Sequence, residues 1–252
     1  MNFSHSLSGC GGGSDRNYAL MNELALFAGA GGGILGSKLL GHRIIGYVEN
    51  NEYCQRVLAQ RIKDGILDDA PIFGDIRAFN SEGYAASYTG MVDVVSGGFP
   101  CQPFSSASHG QRVADDMWPE MRRTIAIIQP RFVFAENVQR EPIEAAATNL
   151  RSMGYIARAI SLSAADMGAD HIRERFWLLA YSDNESELLR KVDAKVGCLS
   201  ELQNSVWQSD PRIGRMVDGL AARVERFRAT GNGQIPIVAA TAFRILSGIL
   251  DR

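Results

Sequence analysis

The chain has 252 residues, 46% of them hydrophobic and 21% charged, with a formal net charge of −2. That is enough for one substantial globular domain with a small appendage. The composition excludes a membrane span, since no apolar run reaches about eighteen residues, and it supplies no global attraction to nucleic acid, so phosphate contacts must come from local Lys and Arg.

No basic segment followed by an apolar stretch opens the chain, so a cytoplasmic location is expected. The four cysteines, at 10, 54, 101 and 198, include no C-x-x-C pair. Their scatter speaks against structural zinc and against a disulfide framework.

Residues 1–21 are rich in Ser and Gly and are expected to form a disordered tail. From Leu24 short apolar runs alternate with helical segments. Leu24–Phe27 reads as a buried strand, followed by a glycine turn and a helix through Leu39 and Leu40. Ile44–Val48 is a second strand, and the helix after it carries Cys54, Leu58 and Ile62 on one face, where Cys54 is a small core residue. Pro71–Phe73 is a short third strand and Val92–Ser96 a fourth. Met121, Ile125 and Ile128 share a helical face ahead of the strand Phe132–Ala135. Tyr155–Ile160 and Phe176–Ala180 complete the set. This alternation predicts an α/β fold, a mostly parallel sheet with helices on both faces. Residues 22–180 form its main domain. Residues 181–229 are polar and aperiodic and read as a small lobe, in which Arg212, Arg215, Arg223, Arg226 and Arg228 outnumber Asp210, Asp218 and Glu225. Residues 230–252 are expected to pack back on the main domain through a helix from Ile235 to Leu250.

Three segments carry chemistry. Phe27-Ala28-Gly29-Ala30-Gly31-Gly32 follows the first strand, where glycines let the backbone turn sharply and approach a nucleotide-like ligand in front of a helix N-terminus. Glu49 ends the second strand, placed to accept from ribose hydroxyls, and Asp75 ends the third, placed to accept from an exocyclic amine. This pattern fits NAD, FAD and S-adenosylmethionine sites alike. The second segment, Gly97-Gly98-Phe99-Pro100-Cys101-Gln102-Pro103-Phe104-Ser105, follows the fourth strand. Ligands of open parallel sheets sit beyond the carboxyl ends of the strands, so Cys101 faces the site, and even its minor thiolate fraction is a competent nucleophile. The third, Phe134-Ala135-Glu136-Asn137-Val138, ends the fifth strand and brings Glu136 to the same edge, where a carboxyl group suits general acid work.

Together these segments resemble the DNA cytosine-5 methyltransferases, in the family's order and over nearly all of the chain from Leu24. FAGAGG is similar to the family's cofactor turn, GFPCQPFS to its nucleophile loop and AENV to its acidic motif. His171-Ile172-Arg173-Glu174-Arg175 resembles its Q-x-R-x-R motif, and Gly231-Asn232-Gly233-Gln234-Ile235-Pro236 its closing G-N-x-V segment. The resemblance implies a Rossmann-like S-adenosylmethionine-dependent methyltransferase fold with a small C-terminal recognition lobe. It implies Cys101 as nucleophile, Glu136 as acid, and Arg175 with Arg173 as groups that hold the base and nearby phosphate. It also implies a cofactor pocket of Phe27, Gly29, Gly31, Gly32, Glu49, Asn50, Asp75, Ile76, Pro100, Asn232 and Gly233. S-adenosyl-L-methionine would be the cofactor, with no metal, because the sulfonium is already an activated donor. The implied partner is double-stranded DNA, bound by a monomer in the cytoplasm near the nucleoid, in a role compatible with a restriction endonuclease partner.

The chain departs from the family pattern at His171, where Gln is usual, and at Asn50, where an aromatic residue often stacks on adenine. The stretch between the Arg motif and the closing segment is short. A small lobe makes few base contacts, each worth roughly 1–3 kcal/mol, which predicts a short target site or help from another subunit. Three rival readings fit the residues less well. A tRNA cytosine-5 methyltransferase would carry a different nucleophile loop. A catalytically idle DNA-binding relative would have a damaged nucleophile, acid or cofactor turn. A nicotinamide dehydrogenase explains neither Cys101 nor the Arg motif.

Overall fold

A computed structural model describes residues 21–100, 115–182 and 233–248. Residues 1–20 of the expected tail and 183–229 of the expected small lobe, with its arginine run, lie outside the described residues, whereas Met21 packs on the core and Tyr181 and Ser182 extend the last strand.

Seven strands form one sheet: β1 (Asn22–Leu26), β2 (Arg43–Val48), β3 (Ile72–Phe73), β4 (Val94–Gly98), β5 (Phe132–Asn137), β6 (Tyr155–Leu162) and β7 (Arg175–Ser182). Their order is β3-β2-β1-β4-β5-β7-β6. β1 to β5 run parallel, and β7 lies antiparallel to both of its neighbours. The mostly parallel, Rossmann-like sheet expected from the sequence is therefore present, with one reversed strand. Its order changes direction between β1 and β4, which opens a crevice beyond their carboxyl ends.

Both faces are covered, which is why β1, β4 and β5 read as continuous apolar runs. Leu24, Leu26, Val95, Val133 and Leu178 point to the face packed by α3 (Ile76–Ser81), α4 (Trp118–Ile128) and α5 (Arg140–Ser152). Ala25, Ile44 and Tyr47 meet α1 (Gly32–Leu39) and α2 (Glu52–Lys63) on the other face, and Phe132, Phe134 and Trp177 meet α6 (Pro236–Leu246) there. Cys54 is buried on α2, one turn before Leu58, as its spacing predicts. Proline begins α6, where the missing N–H costs nothing, and α6 packs along α1. None of the described helices is long and apolar enough to cross a membrane.

β4 starts and ends two residues later than expected and takes in Gly97 and Gly98. Glycine ordinarily weakens a strand, but here neighbours come too close for a side chain. A Cβ at Gly97 would lie 2.9 Å from the Leu26 carbonyl oxygen, and one at Gly98 would lie 2.6 Å from Glu136 Oε2.

One buried polar cluster ties β1 to its surroundings. The carboxylate of Glu23, 1% exposed, accepts from Ser37 Oγ on α1 and Ser96 Oγ on β4, and it pairs with His42 Nδ1 at 2.6 Å. Removing the hub leaves an imidazole and two hydroxyls without that partner in a dry interior. Glu23→Ala is therefore expected to cost about 3 kcal/mol, read as a lower urea midpoint. A midpoint unchanged within error would show that the cluster adds nothing to stability.

Candidate active site

The turn after β1 lies at the sheet's switch point. Phe27 takes a φ of +50°, costly for an aromatic residue, and Gly29 and Gly31 follow at +54° and +92°. Two bonds hold this shape: Ala28 N donates to the Val48 carbonyl at 3.1 Å, and Arg61 Nη1 to the Ala30 carbonyl at 2.7 Å. Glu49, at the end of β2, clamps the turn from the next strand. Its Oε2 accepts from Gly29 N at 2.7 Å and its Oε1 from Asn51 N at 2.8 Å.

These residues suit a nucleoside-bearing cofactor. A Cβ at Gly29 would meet nothing within 4 Å, so the turn faces open space. Each Glu49 oxygen retains a lone pair for a ribose hydroxyl after its backbone bond. α1 begins at once behind the turn, with Gly31 as its N-cap. Asp75, exposed after β3, caps α3 by accepting from Arg77 N at 2.8 Å. Ile76 is buried in the core beneath the sheet, so its side chain faces away from solvent. Asn50 is exposed at the rim.

On the other side of the switch point, β4 leads toward the segment in which Cys101 is the expected nucleophile. Cys101 lies outside the described residues, but the two residues before it are anchored. Asn137 Nδ2 donates to the Phe99 carbonyl at 2.9 Å, and Met117 N to the Pro100 carbonyl at 3.0 Å. Phe99 is buried against Trp118, with ring centroids 5.1 Å apart. The chain thus enters Cys101 from a fixed point. Asn137 was quoted within AENV without a role of its own; the structure gives it this one.

Glu136 sits in register with Gly98 of β4 and Trp177 of β7. It is 6% exposed, and its two oxygens have different partners. Oε1 pairs with Arg175 Nε at 3.1 Å, and Oε2 accepts from Gln234 Nε2, also at 3.1 Å. Burial raises the carboxyl above its ordinary range; the bond from Gln234 and the charges of Arg175 and Arg173 oppose that rise without cancelling it. Arg173 donates from Nη2 to the Gly233 carbonyl at 2.7 Å, so it braces the closing segment. His171, half exposed, lies 3.3 Å from its neighbour Asp170, and Ile172 is 86% exposed.

The structure thus gathers Phe27, Gly29, Gly31, Gly32 and Glu49 into one turn, and Glu136, Arg175, Arg173 and Gly233 into one polar cluster. Gly32 joins the two, because a Cβ there would collide with the Gln234 carbonyl oxygen. Asn232 lies outside the described residues. Gln234, like Asn137, lies within a recognised motif but gains its role only from the structure.

The sequence profile of C-5 cytosine-specific DNA methylases matches residues 21–222. Among curated relatives, the chain is 29% identical over 179 residues to the Type II methyltransferase M.NgoMIV of Neisseria gonorrhoeae, covering 67% of this chain and 54% of that protein. It is 35% identical over 128 residues to the Type II methyltransferase M.PspPI of Psychrobacter sp., covering 49% of this chain and 28% of that protein. A crystal structure assigned as a prophage-encoded DNA modification methyltransferase of E. coli superposes with a TM-score of 0.51 at 27% identity, covering 65% of this chain and 47% of that one. The chain therefore spans about half the length of M.NgoMIV.

Proposed function

The chain belongs to the C-5 cytosine-specific DNA methylase family, and on that premise we propose that it methylates C5 of cytosine in double-stranded DNA through a transient bond to Cys101. The observation that carries this reading is the placement of Glu136. A buried carboxyl held by Arg175 stands in register with Gly98, three residues before Cys101 and on the same sheet edge.

The target base must leave the stack, at a cost of a few kcal/mol, because its C5–C6 edge is closed to protein inside the duplex. The Cys101 thiolate then adds to C6, and Glu136 gives a proton or hydrogen bond to N3, so the added electron density comes to rest on C5. S-adenosyl-L-methionine, which the FAGAGG turn and Glu49 would hold, would supply the methyl group as an activated sulfonium. After transfer a base, water included, takes the C5 proton, the C6–S bond breaks, and the proton on N3 returns. Arg175 holds Glu136 in line and, with Arg173, offers planar donors to the base and a phosphate. A monomer acting on DNA in the cytoplasm is part of this reading, with a restriction endonuclease as the natural partner of a Type II-like modification enzyme.

Bisulfite sequencing of DNA from cells that express the chain tests it. The expected result is protected cytosines within one short sequence context. Unprotected DNA alongside methylated tRNA would favour the rival substrate.

A further inference from the structure

We propose that Gln234 is a positioning residue for the catalytic acid: its amide, set between the start of α1 and β4, holds Glu136 Oε2 in the geometry needed at the base. The proposal rests on the reading of Glu136 given above. Gln234 lies just before α6 and reaches across 98 positions of sequence to donate to Glu136 Oε2 at 3.1 Å. Two glycines make room for it. A Cβ at Gly33 would collide with Gln234 Oε1, and one at Gly98 would lie 2.9 Å from Nε2 and 2.6 Å from Glu136 Oε2. A side chain at either glycine would therefore push the amide out of this position. The segment itself is tied down by Arg173 on the Gly233 carbonyl and by Pro236 leading into α6. One side chain of the closing segment thereby lies against the start of α1, β4 and the acid at once.

The division of labour on Glu136 follows from its two oxygens. Arg175 fixes Oε1 with a full charge, and Gln234 fixes Oε2 with a neutral donor. Among the described residues, the charged groups acting on this carboxyl are Arg175 and Arg173, both on the segment entering β7. A second cation in place of Gln234 would pull the carboxyl further toward its ionised form and impair proton delivery. A neutral amide steers it and leaves burial in control, which is why the carboxyl still titrates above its ordinary range.

The test is Gln234→Met, which keeps volume and removes the donor, with Gln234→Ala as the second variant should the methionine chain melt early. The first arm needs neither DNA nor cofactor: the Glu136 carboxyl carbon is followed by NMR through a pH titration, assigned by its loss in Glu136→Gln. Its midpoint is expected to rise by about one pH unit, the size set by losing one hydrogen bond to a charged group. The second arm is the pH profile of methyl transfer. Its Glu136-dependent limb is expected to move up with the titration, and the plateau kcat to fall about tenfold, with KM for DNA within about twofold. An unmoved NMR midpoint overturns the proposal. So does a moved midpoint with an unmoved profile, which would make the bond merely structural. If the native chain shows no transfer at all, the functional reading fails and the NMR arm alone decides the contact.

Discussion

Cys101→Ala is expected to abolish methyl transfer while cofactor binding persists. The variant removes the sulfur that must add to C6, and without that addition C5 is too electron-poor to attack a sulfonium. The rate should fall on the order of 10⁴-fold or more, as when a nucleophile is deleted from a covalent mechanism. The glycine turn is built elsewhere, from Phe27 to Gly32, and is held by the Glu49 carboxylate on Gly29 N and by Ala28 N on the Val48 carbonyl. Tritium transfer from labelled cofactor to DNA measures the first effect, and calorimetric titration of the cofactor measures the second. Turnover within tenfold of the native chain would remove the covalent chemistry.

Glu136→Gln should slow transfer by about 10²- to 10⁴-fold, the usual range for a lost general acid. The change keeps shape and hydrogen bonding near Arg175 but removes the transferable proton. Burial holds the carboxyl above its ordinary range, so more of the acid form survives toward neutral pH than in an exposed glutamate. Transfer should therefore decline as pH rises through that raised value, because the proton donor is lost. Cys101 must ionise, which contributes the opposing, ascending dependence, so the two requirements together give one bell-shaped profile. The variant is expected to lose the Glu136 limb and keep the Cys101 limb. An unchanged rate and profile would leave Glu136 a structural partner of Arg175.

Much of the fold is legible in the sequence because it reports on its own neighbourhood. β5 reads as a strand from Phe132-Val133-Phe134-Ala135, since a strand buried on both faces needs apolar residues in a row. The reversal of β7 is not legible. The segment from Leu162 to Arg175 contains only a short 3-10 turn in place of a crossover helix, and strand direction follows from the connection rather than from the strand's own residues. Gly97 and Gly98 looked like loop because glycine disfavours strands, and the Leu26 carbonyl and Glu136 that exclude a side chain there lie far away in sequence. α3 carries a local signal of its own. Asp75 before Ile76 is an N-cap, and its carboxylate serves the helix whether or not it also meets a ligand.

The site divides in the same way. Glu136 and the glycine turn stand in local motifs, and the sheet edge that gathers them follows from the α/β pattern. The bonds from Asn137 to Phe99 and from Gln234 to Glu136 join positions 38 and 98 residues apart, and no periodicity carries that information.

The central claim is a bond between sulfur and carbon during turnover. It is tested most directly with duplex DNA carrying 5-fluorocytosine at every cytosine, incubated with the chain and its cofactor. Fluorine cannot leave as a cation, so the elimination that frees the enzyme is blocked. The account predicts a cofactor-dependent adduct that survives denaturation, with the modified nucleotide on the peptide containing Cys101 and no adduct from Cys101→Ala. Methylation of ordinary DNA without any such adduct, or an adduct on a peptide carrying another of the four cysteines, would contradict it.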